Sequence, residues 1–149
     1  MMDSHNLIFK NRKASFNYSF SDKYTAGIVL KGSEIKSIKD QSVDFSNSYC
    51  IIKHNEIFII GMNIKEYKFA NLNNHDPDRD RKLLLNRKEI NQIKKKVSEK
   101  KFSIIPTKLF MSSRGLVKIE IGLGKGKKEY DKREDIKQRD IDRRLRENI

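Results

Sequence analysis

The 149-residue sequence holds a single cysteine, Cys50. A disulfide framework within one chain is therefore impossible, which suits a reducing compartment. No apolar run approaches the roughly 20 residues of a membrane-spanning helix. The opening MMDSHNLIFKNRKAS has no extended apolar stretch, so a secretory signal is not expected. Histidine is scarce: His5, His54 and His75 are the only three. Acidic residues are in deficit, 20 against 33 lysines and arginines, leaving a net charge of +13. The hydrophobic fraction, 36%, is low for this length and allows one core if part of the chain does not fold alone. Folding does not need so much positive charge, and self-repulsion opposes compaction. A polyanionic partner accounts for it, because lysine and arginine gain affinity by releasing counterions from phosphate. Composition does not distinguish RNA from DNA.

What is present reads as one small β domain. Between Ser15 and Gly27 the sequence alternates, placing Phe16, Tyr18 and Phe20 on one strand face. Ser21-Asp22-Lys23 predicts a turn, and YTAGIVL a second strand. SEIKSIKD predicts a short helix capped by Ser33, with Ile35 and Ile38 facing inward. SYCII and IFIIG, separated by Lys53-His54-Asn55-Glu56, predict a hairpin. Residues 70–82 predict a long polar loop, and Leu83-Leu84-Leu85 an entry into the clearest helix. There Asn86 and Glu89 have capping-box spacing, Leu85 and Ile90 could staple the start, and Ile90, Ile93 and Val97 form one apolar stripe. FSIIPTKLFM and LVKIEIGLG predict two more strands joined through Ser112-Ser113-Arg114-Gly115. Pro106 marks a bulge or an edge, and Val117, Ile119, Ile121 and Leu123 face away from Lys118 and Glu120. About six short strands, mostly hairpin-linked, with a helix between the fourth and fifth, suggest a small closed or nearly closed barrel. An OB-like barrel is the natural candidate, and the pattern alone is also compatible with another small β-barrel. After Gly126 the periodicity fades; Ile136, Ile141 and Leu145 are too isolated to bury a helix.

Catalytic chemistry finds little support. His75 stands beside Asp76 in NHDPD, as in metal phosphohydrolases, but one adjacent pair cannot complete a metal shell. An Asx turn closed by Pro77 is the stronger reading. Cys50 lies inside a strand pattern and reads as a small core residue. GLGKGKK lacks the spacing and hydroxyl residue of a P-loop. Binding chemistry is better represented. DRDRKLLLNRKE gathers Arg79, Arg81, Lys82, Arg87 and Lys88 around a helix start, where backbone N–H groups also favour phosphate. NRKASF adds Arg12 and Lys13 beside Phe16.

Four stretches, NRKA, AGIVLKGSEIKS, NHDPDRDRKLLLNRKEI and GLGKGKKEYDKRE, resemble in order and spacing the SsrA-binding protein family, also called small protein B. The resemblance spans residues 11 to 149. It implies an OB-like closed antiparallel β-barrel with flanking helices over residues 11–124. A disordered N-terminus over 1–10 would precede it. A basic tail over 125–149 would follow, disordered when free and helical on the ribosome. The implied function is binding of transfer-messenger RNA (SsrA RNA) and its delivery to stalled ribosomes for trans-translation. There the protein stands in for the anticodon side of tRNA in the A site, against 16S rRNA, with its tail in the empty mRNA channel. The implied partner in delivery is elongation factor Tu with GTP. A cytoplasmic monomer with no cofactor, no metal, no membrane contact and no enzymatic activity is expected.

On that resemblance Asn11 matches the asparagine of the opening motif, and Leu84 and Asn86 match RNA-contact positions. Tyr130 matches an aromatic or histidine that stacks in the decoding centre. Asp131, Lys132 and Arg133 match the triplet needed for accommodation. Lys127 and Lys128 lie on the lysine-bearing exit after Gly122, Gly124 and Gly126, read as releasing the last strand. Ser15 and Phe16 stand where the family usually has a basic residue and histidine, and Thr25 where it often has glutamate. Phe16 retains a stacking surface but no hydrogen-bond donor. The alternative is a general OB-type RNA or single-stranded-DNA binder, or a ribosomal accessory protein.

Overall fold

The computed structural model describes residues 7–70 and 74–147, the side chains of 129–131 and 147 excepted. Among these described residues, nine strands and four helices run in the order β1 (Ile8–Lys10), α1 (Arg12–Asn17), β2 (Tyr18–Ile28), α2 (Gly32–Lys39), β3 (Val43–Asp44), β4 (Tyr49–Lys53), β5 (Glu56–Ile60), β6 (Asn63–Ile64), β7 (Arg81–Leu84), α3 (Arg87–Lys100), β8 (Ser103–Met111), β9 (Val117–Gly126) and α4 (Glu129–Glu147). The main sheet is antiparallel, ordered β1-β8-β4-β5-β7-β2-β9. β8 also pairs with β9, so the order returns on itself. The weakest join in this circuit is β4–β8, with the single pair Cys50–Ile104. β3 and β6 form a separate two-stranded sheet.

Alternation builds the core. Ala26, Ile28, Ile57, Ile59, Leu83, Leu109, Ile119, Ile121 and Leu123 project inward from the strands, and Ile90 and Ile93 of α3 close over them. Asn86 caps α3 as its spacing predicts. Its Oδ1 accepts from Glu89 N–H at 2.8 Å, and its own N–H donates to Glu89 Oε1 at 3.2 Å. The β4–β5 hairpin turns through His54 and Asn55, whose φ values of 52° and 60° are those of a two-residue turn matching strand twist. Pro106 does mark a bulge, since the β8–β9 register shifts between Pro106 and Lys108.

Several local expectations give way. Phe16 lies in α1, not in a strand, because Asn11 starts a helix: its Oδ1 accepts from Ala14 N–H at 3.0 Å. Ser21-Asp22-Lys23 does not turn the chain. β2 runs through it as one eleven-residue strand, and the extra residue is absorbed as a bulge between Phe20 and Asp22. Ser33 is inside α2, which begins after Lys31. Leu83 and Leu84 belong to β7, because that segment pairs with both β5 and β2. Gly122 and Gly124 do not release β9. They let β2 lie against it: a Cβ on Gly122 would fall 2.6 Å from the Phe20 ring, and one on Gly124 2.0 Å from the Ser19 carbonyl oxygen. Ordered structure begins before residue 11, since Ile8–Lys10 pair with β8; residues 1–6 lie outside the described residues. The tail carries α4, and Ile136, Ile141 and Leu145 on it are 48%, 49% and 62% exposed.

Candidate nucleic-acid interface

β7 is the element that places the first group of candidate residues. Strand alternation buries Leu83 and turns Leu84 outward, where it is 53% exposed. Leu84 packs over Gly27 of β2, whose missing side chain leaves the space: a Cβ there would be 3.3 Å from Leu84 Cβ. The registers extend this into a row across five strands. Ile8 pairs with Phe110, Phe110 with Lys118, Lys118 with Gly27, and Gly27 with Leu84. A second row runs Lys10, Lys108, Glu120, Thr25. Lys108 Nζ sits 5.2 Å from the Phe110 ring centroid. Ile8 is 55% exposed, so both ends of the first row present apolar groups to solvent. The face therefore combines lysines with the exposed Ile8 and Leu84 and the half-buried Phe110, a combination suited to phosphate plus base contact. Lys82 and Asn86 border it on β7 and at the α3 cap.

Two sequence candidates are not on any surface. Arg81 has a fully buried side chain. Its Nε and Nη2 reach Glu34 Oε2 at 2.7 and 2.6 Å, and its Nη1 donates to the Met62 carbonyl at 2.6 Å. Its guanidinium neutralises a buried carboxylate and has no phosphate-facing role. Arg79 is shared: its Nη2 donates to Glu34 Oε1 at 2.5 Å while its side chain keeps 24% exposure. Glu34 also accepts from Lys31 N–H at 2.7 Å. Burial opposes its ionisation. The hydrogen bonds from Arg79, Lys31 and Arg81 outweigh that and hold its carboxyl below the usual carboxylate range. Asn11 is likewise only 4% exposed. Beyond capping α1 it donates to the Pro106 carbonyl at 2.9 Å, tying α1 to β8. Its polar atoms hold the fold and are turned away from solvent.

A second zone lies where α1 meets the tail. Arg12 is exposed, and Lys13 donates to Asn47 Oδ1 at 2.5 Å. Phe16 is half-buried, with the Arg139 guanidinium 5.2 Å from its ring centroid. Lys127 N–H donates to Asn17 O at 2.7 Å, and its ammonium pairs with Asp135. Lys128 and Arg133 are exposed and Lys132 half-buried. Tyr130 and Asp131 lie in the first turn of α4, but their side chains lie outside the described residues. The structure thus sorts the sequence candidates into two zones, Lys82-Leu84-Asn86 and the α1–tail junction.

His75 is 2% exposed and both ring nitrogens are engaged. Nε2 meets the Ile64 carbonyl at 2.8 Å and must donate to it, while Nδ1 meets the Ser33 hydroxyl at 2.8 Å. Neither nitrogen is open to a metal, and among the described residues no group of three potential ligands gathers. Burial pushes the Cys50 thiol up, consistent with its core position. Sequence reasoning missed the outer row through Ile8 and Phe110. The alternation KLF in β8 carried the signal, but the strand neighbours that complete the row are distant in sequence.

The model of the SmpB protein family matches residues 8–149. The chain belongs to the SmpB family. Similar curated proteins include an SsrA-binding protein of Thermosipho melanesiensis, 50% identical over 143 residues that cover 96% of this chain and 97% of that one. Another, from Christiangramia forsetii, is 50% identical over 145 residues, covering 97% and 91%. A solved structure presented as "tmRNA-SmpB: a journey to the center of the bacterial ribosome" aligns with TM-score 0.68 at 34% identity, covering 87% of this chain and 94% of that one. The SmpB alignment includes β1, in line with its pairing to β8.

Proposed function

We propose that this chain binds transfer-messenger RNA and delivers it to stalled ribosomes for trans-translation. The observation that carries the reading is its near-full-length similarity to SsrA-binding proteins, together with the likeness to a solved tmRNA–SmpB structure. The net charge of +13 and the lysine-bearing outer sheet face support it. The circuit of strand pairings supports an OB-like closed barrel as the platform. In this reading the β7–α3 edge and the outer rows hold the tRNA-like part of the RNA. The tail enters the empty mRNA channel next to 16S rRNA, so Tyr130, Asp131, Lys132 and Arg133 face the decoding centre and Lys127 and Lys128 the phosphates at its entrance. In the free protein the tail is only weakly held, because its apolar side chains are exposed, and the channel supplies the missing packing. The protein acts as a cytoplasmic monomer with elongation factor Tu–GTP, and no catalytic step is assigned to it.

Identifying the RNA that co-purifies with the protein tests the reading; recovery of unstructured RNA in place of transfer-messenger RNA would favour a general single-strand binder. Two variants locate the interface. Leu84→Ala is expected to lower transfer-messenger RNA affinity about tenfold, a loss of about 1.4 kcal/mol. Its stability is expected to stay within about 0.5 kcal/mol, since the side chain is exposed. A drop of about 2–5 kcal/mol in a denaturant melt would instead mark it as packing. Affinity is expected to fall steeply with salt. Lys82→Ala with Lys118→Ala is expected to reduce the slope of log affinity against log salt by about 2. An unchanged slope would remove these lysines from the phosphate footprint.

A further inference from the structure

A separate aromatic site lies between the C-terminal end of α2 and the chain leaving β6. Lys65 N–H donates to the Ser42 carbonyl at 3.0 Å, fixing the two segments side by side. The Asn74 carboxamide then clamps the next turn. It accepts from Tyr67 N–H at 3.1 Å and donates to the Tyr67 carbonyl at 2.8 Å. The turn presents Phe69, which at 69% is the most exposed of the large hydrophobic side chains among the described residues. Its ring meets Tyr67 edge to face at 5.5 Å. Lys68 Nζ lies 5.0 Å from the Phe69 centroid, and Lys36 Nζ 5.6 Å from that of Tyr67.

Beside this pair is a cavity of about 510 Å³ lined by Ser37, Asp40, Ser42 and the run 65–69, which brings the exposed Glu66 as a second carboxylate alongside Lys65, Tyr67, Lys68 and Phe69. Ser37 is 1% exposed, and its Oγ has no hydrogen-bond partner among the described residues. A buried hydroxyl without a partner is costly, and one that lines a polar cavity is ready for a ligand atom. Asp40 follows the last turn of α2 and is exposed. The site thus offers an aromatic platform, two acceptor-only carboxylates, an unsatisfied hydroxyl and three lysines. Of the two carboxylates, Asp40 is the one at the end of α2, close to Ser37 in sequence and across the cavity wall from the turn that carries Phe69.

We propose that this cavity takes one unpaired guanosine of a bound RNA, a step that rests on the RNA-binding reading above. Phe69 supplies the stacking face, which any base can use. Asp40 supplies selectivity. A carboxylate accepts two hydrogen bonds side by side, and only guanine carries two adjacent donors, N1–H and N2–H, on its pairing edge. Adenine and cytosine place an acceptor beside their single amino donor, and uracil flanks its one donor with acceptors. Lys36, Lys65 and Lys68 take the neighbouring phosphates, and the Ser37 hydroxyl gains a partner on the entering nucleotide.

The test uses the full chain and seven-residue uridine oligomers carrying guanosine, inosine or adenosine at the centre, with free GMP alongside. The guanosine oligomer is expected to bind about tenfold tighter than the adenosine one, with inosine between them because it lacks the N2 donors. Asp40→Asn is expected to erase that ratio, and Phe69→Ala to weaken all three oligomers about tenfold. Both positions are exposed, so unchanged melting of the variants checks that the fold is intact. Equal binding of the three oligomers, or a guanosine preference that survives Asp40→Asn, would overturn the proposal. GMP binding as tightly as the oligomer would overturn its assignment to RNA. Transfer-messenger RNA affinity, measured separately on Leu84→Ala, reads the other site, so failure of one assignment is distinguishable from failure of the other.

Discussion

Ending the chain at Lys128 is expected to abolish peptide tagging on stalled ribosomes while leaving transfer-messenger RNA affinity near that of the intact protein. The truncation keeps all of β9, which ends at Gly126, and every residue of the outer sheet face. What it removes contributes little to the body. Ile136, Ile141 and Leu145 remain about half or more exposed on α4. Among the described residues, the side-chain links lost are the Lys127–Asp135 pair and the Arg139–Phe16 contact. Partly exposed pairs of that kind contribute at most about 1 kcal/mol each. Melting should therefore be nearly unchanged, while on the proposed mechanism nothing remains to fill the mRNA channel. Within the tail, Tyr130→Ala is expected to lose a stacking contact worth about 1–3 kcal/mol, and Tyr130→Phe to be mild because the ring is kept. Replacing Asp131, Lys132 and Arg133 together by alanine should be severe for tagging and neutral for melting. Full tagging by the truncated chain, at matched protein levels, would reduce the tail to a solvated appendage and overturn the proposed mechanism.

The largest stability effect is expected at Glu34. Glu34→Ala leaves the Arg81 guanidinium buried without its counter-charge, a loss of about 3–5 kcal/mol. For a chain of this size that lowers the melting temperature by roughly 10 °C. Arg79→Ala should cost less, because its side chain is partly exposed and Arg81 still neutralises the carboxylate. The pH dependence follows from the lowered folded-state pKa. Glu34's contribution is fully present above its usual value of 4.5 and is lost as pH falls from there through the lower folded value. Stability of the parent should thus fall more steeply in that acid window than stability of Glu34→Gln, followed by urea titration at each pH. Parallel curves would show that the ion pairs add no acid-dependent stability. The consequence reaches the interface, because Arg79 and Arg81 flank the start of β7 and tie it to α2, and β7 carries Lys82 and Leu84.

Much of this molecule was legible in its sequence wherever neighbours along the chain decide the outcome. Capping-box spacing at Asn86 and Glu89, the Lys53–Glu56 hairpin, the Pro106 bulge and the inward face of β9 all depend on residues within a few positions of one another. Family motifs in order and spacing were also readable, because they are local strings. Composition alone fixed a strong excess of positive charge and the impossibility of an internal disulfide. Tertiary structure decided the rest. Ser21 could bulge instead of turning because β9 offered partners on both sides of it. Leu83 and Leu84 became strand because β5 and β2 flank them, against their helix propensity. Charge patterning could not tell Arg81 from Lys82, since the buried carboxylate that claims Arg81 lies 47 residues away. Asn11, readable as a polar contact, faces the Pro106 carbonyl 95 residues on. Which polar group meets solvent and which meets a buried partner is set by long-range pairing, and only the folded chain brings those partners within hydrogen-bonding distance.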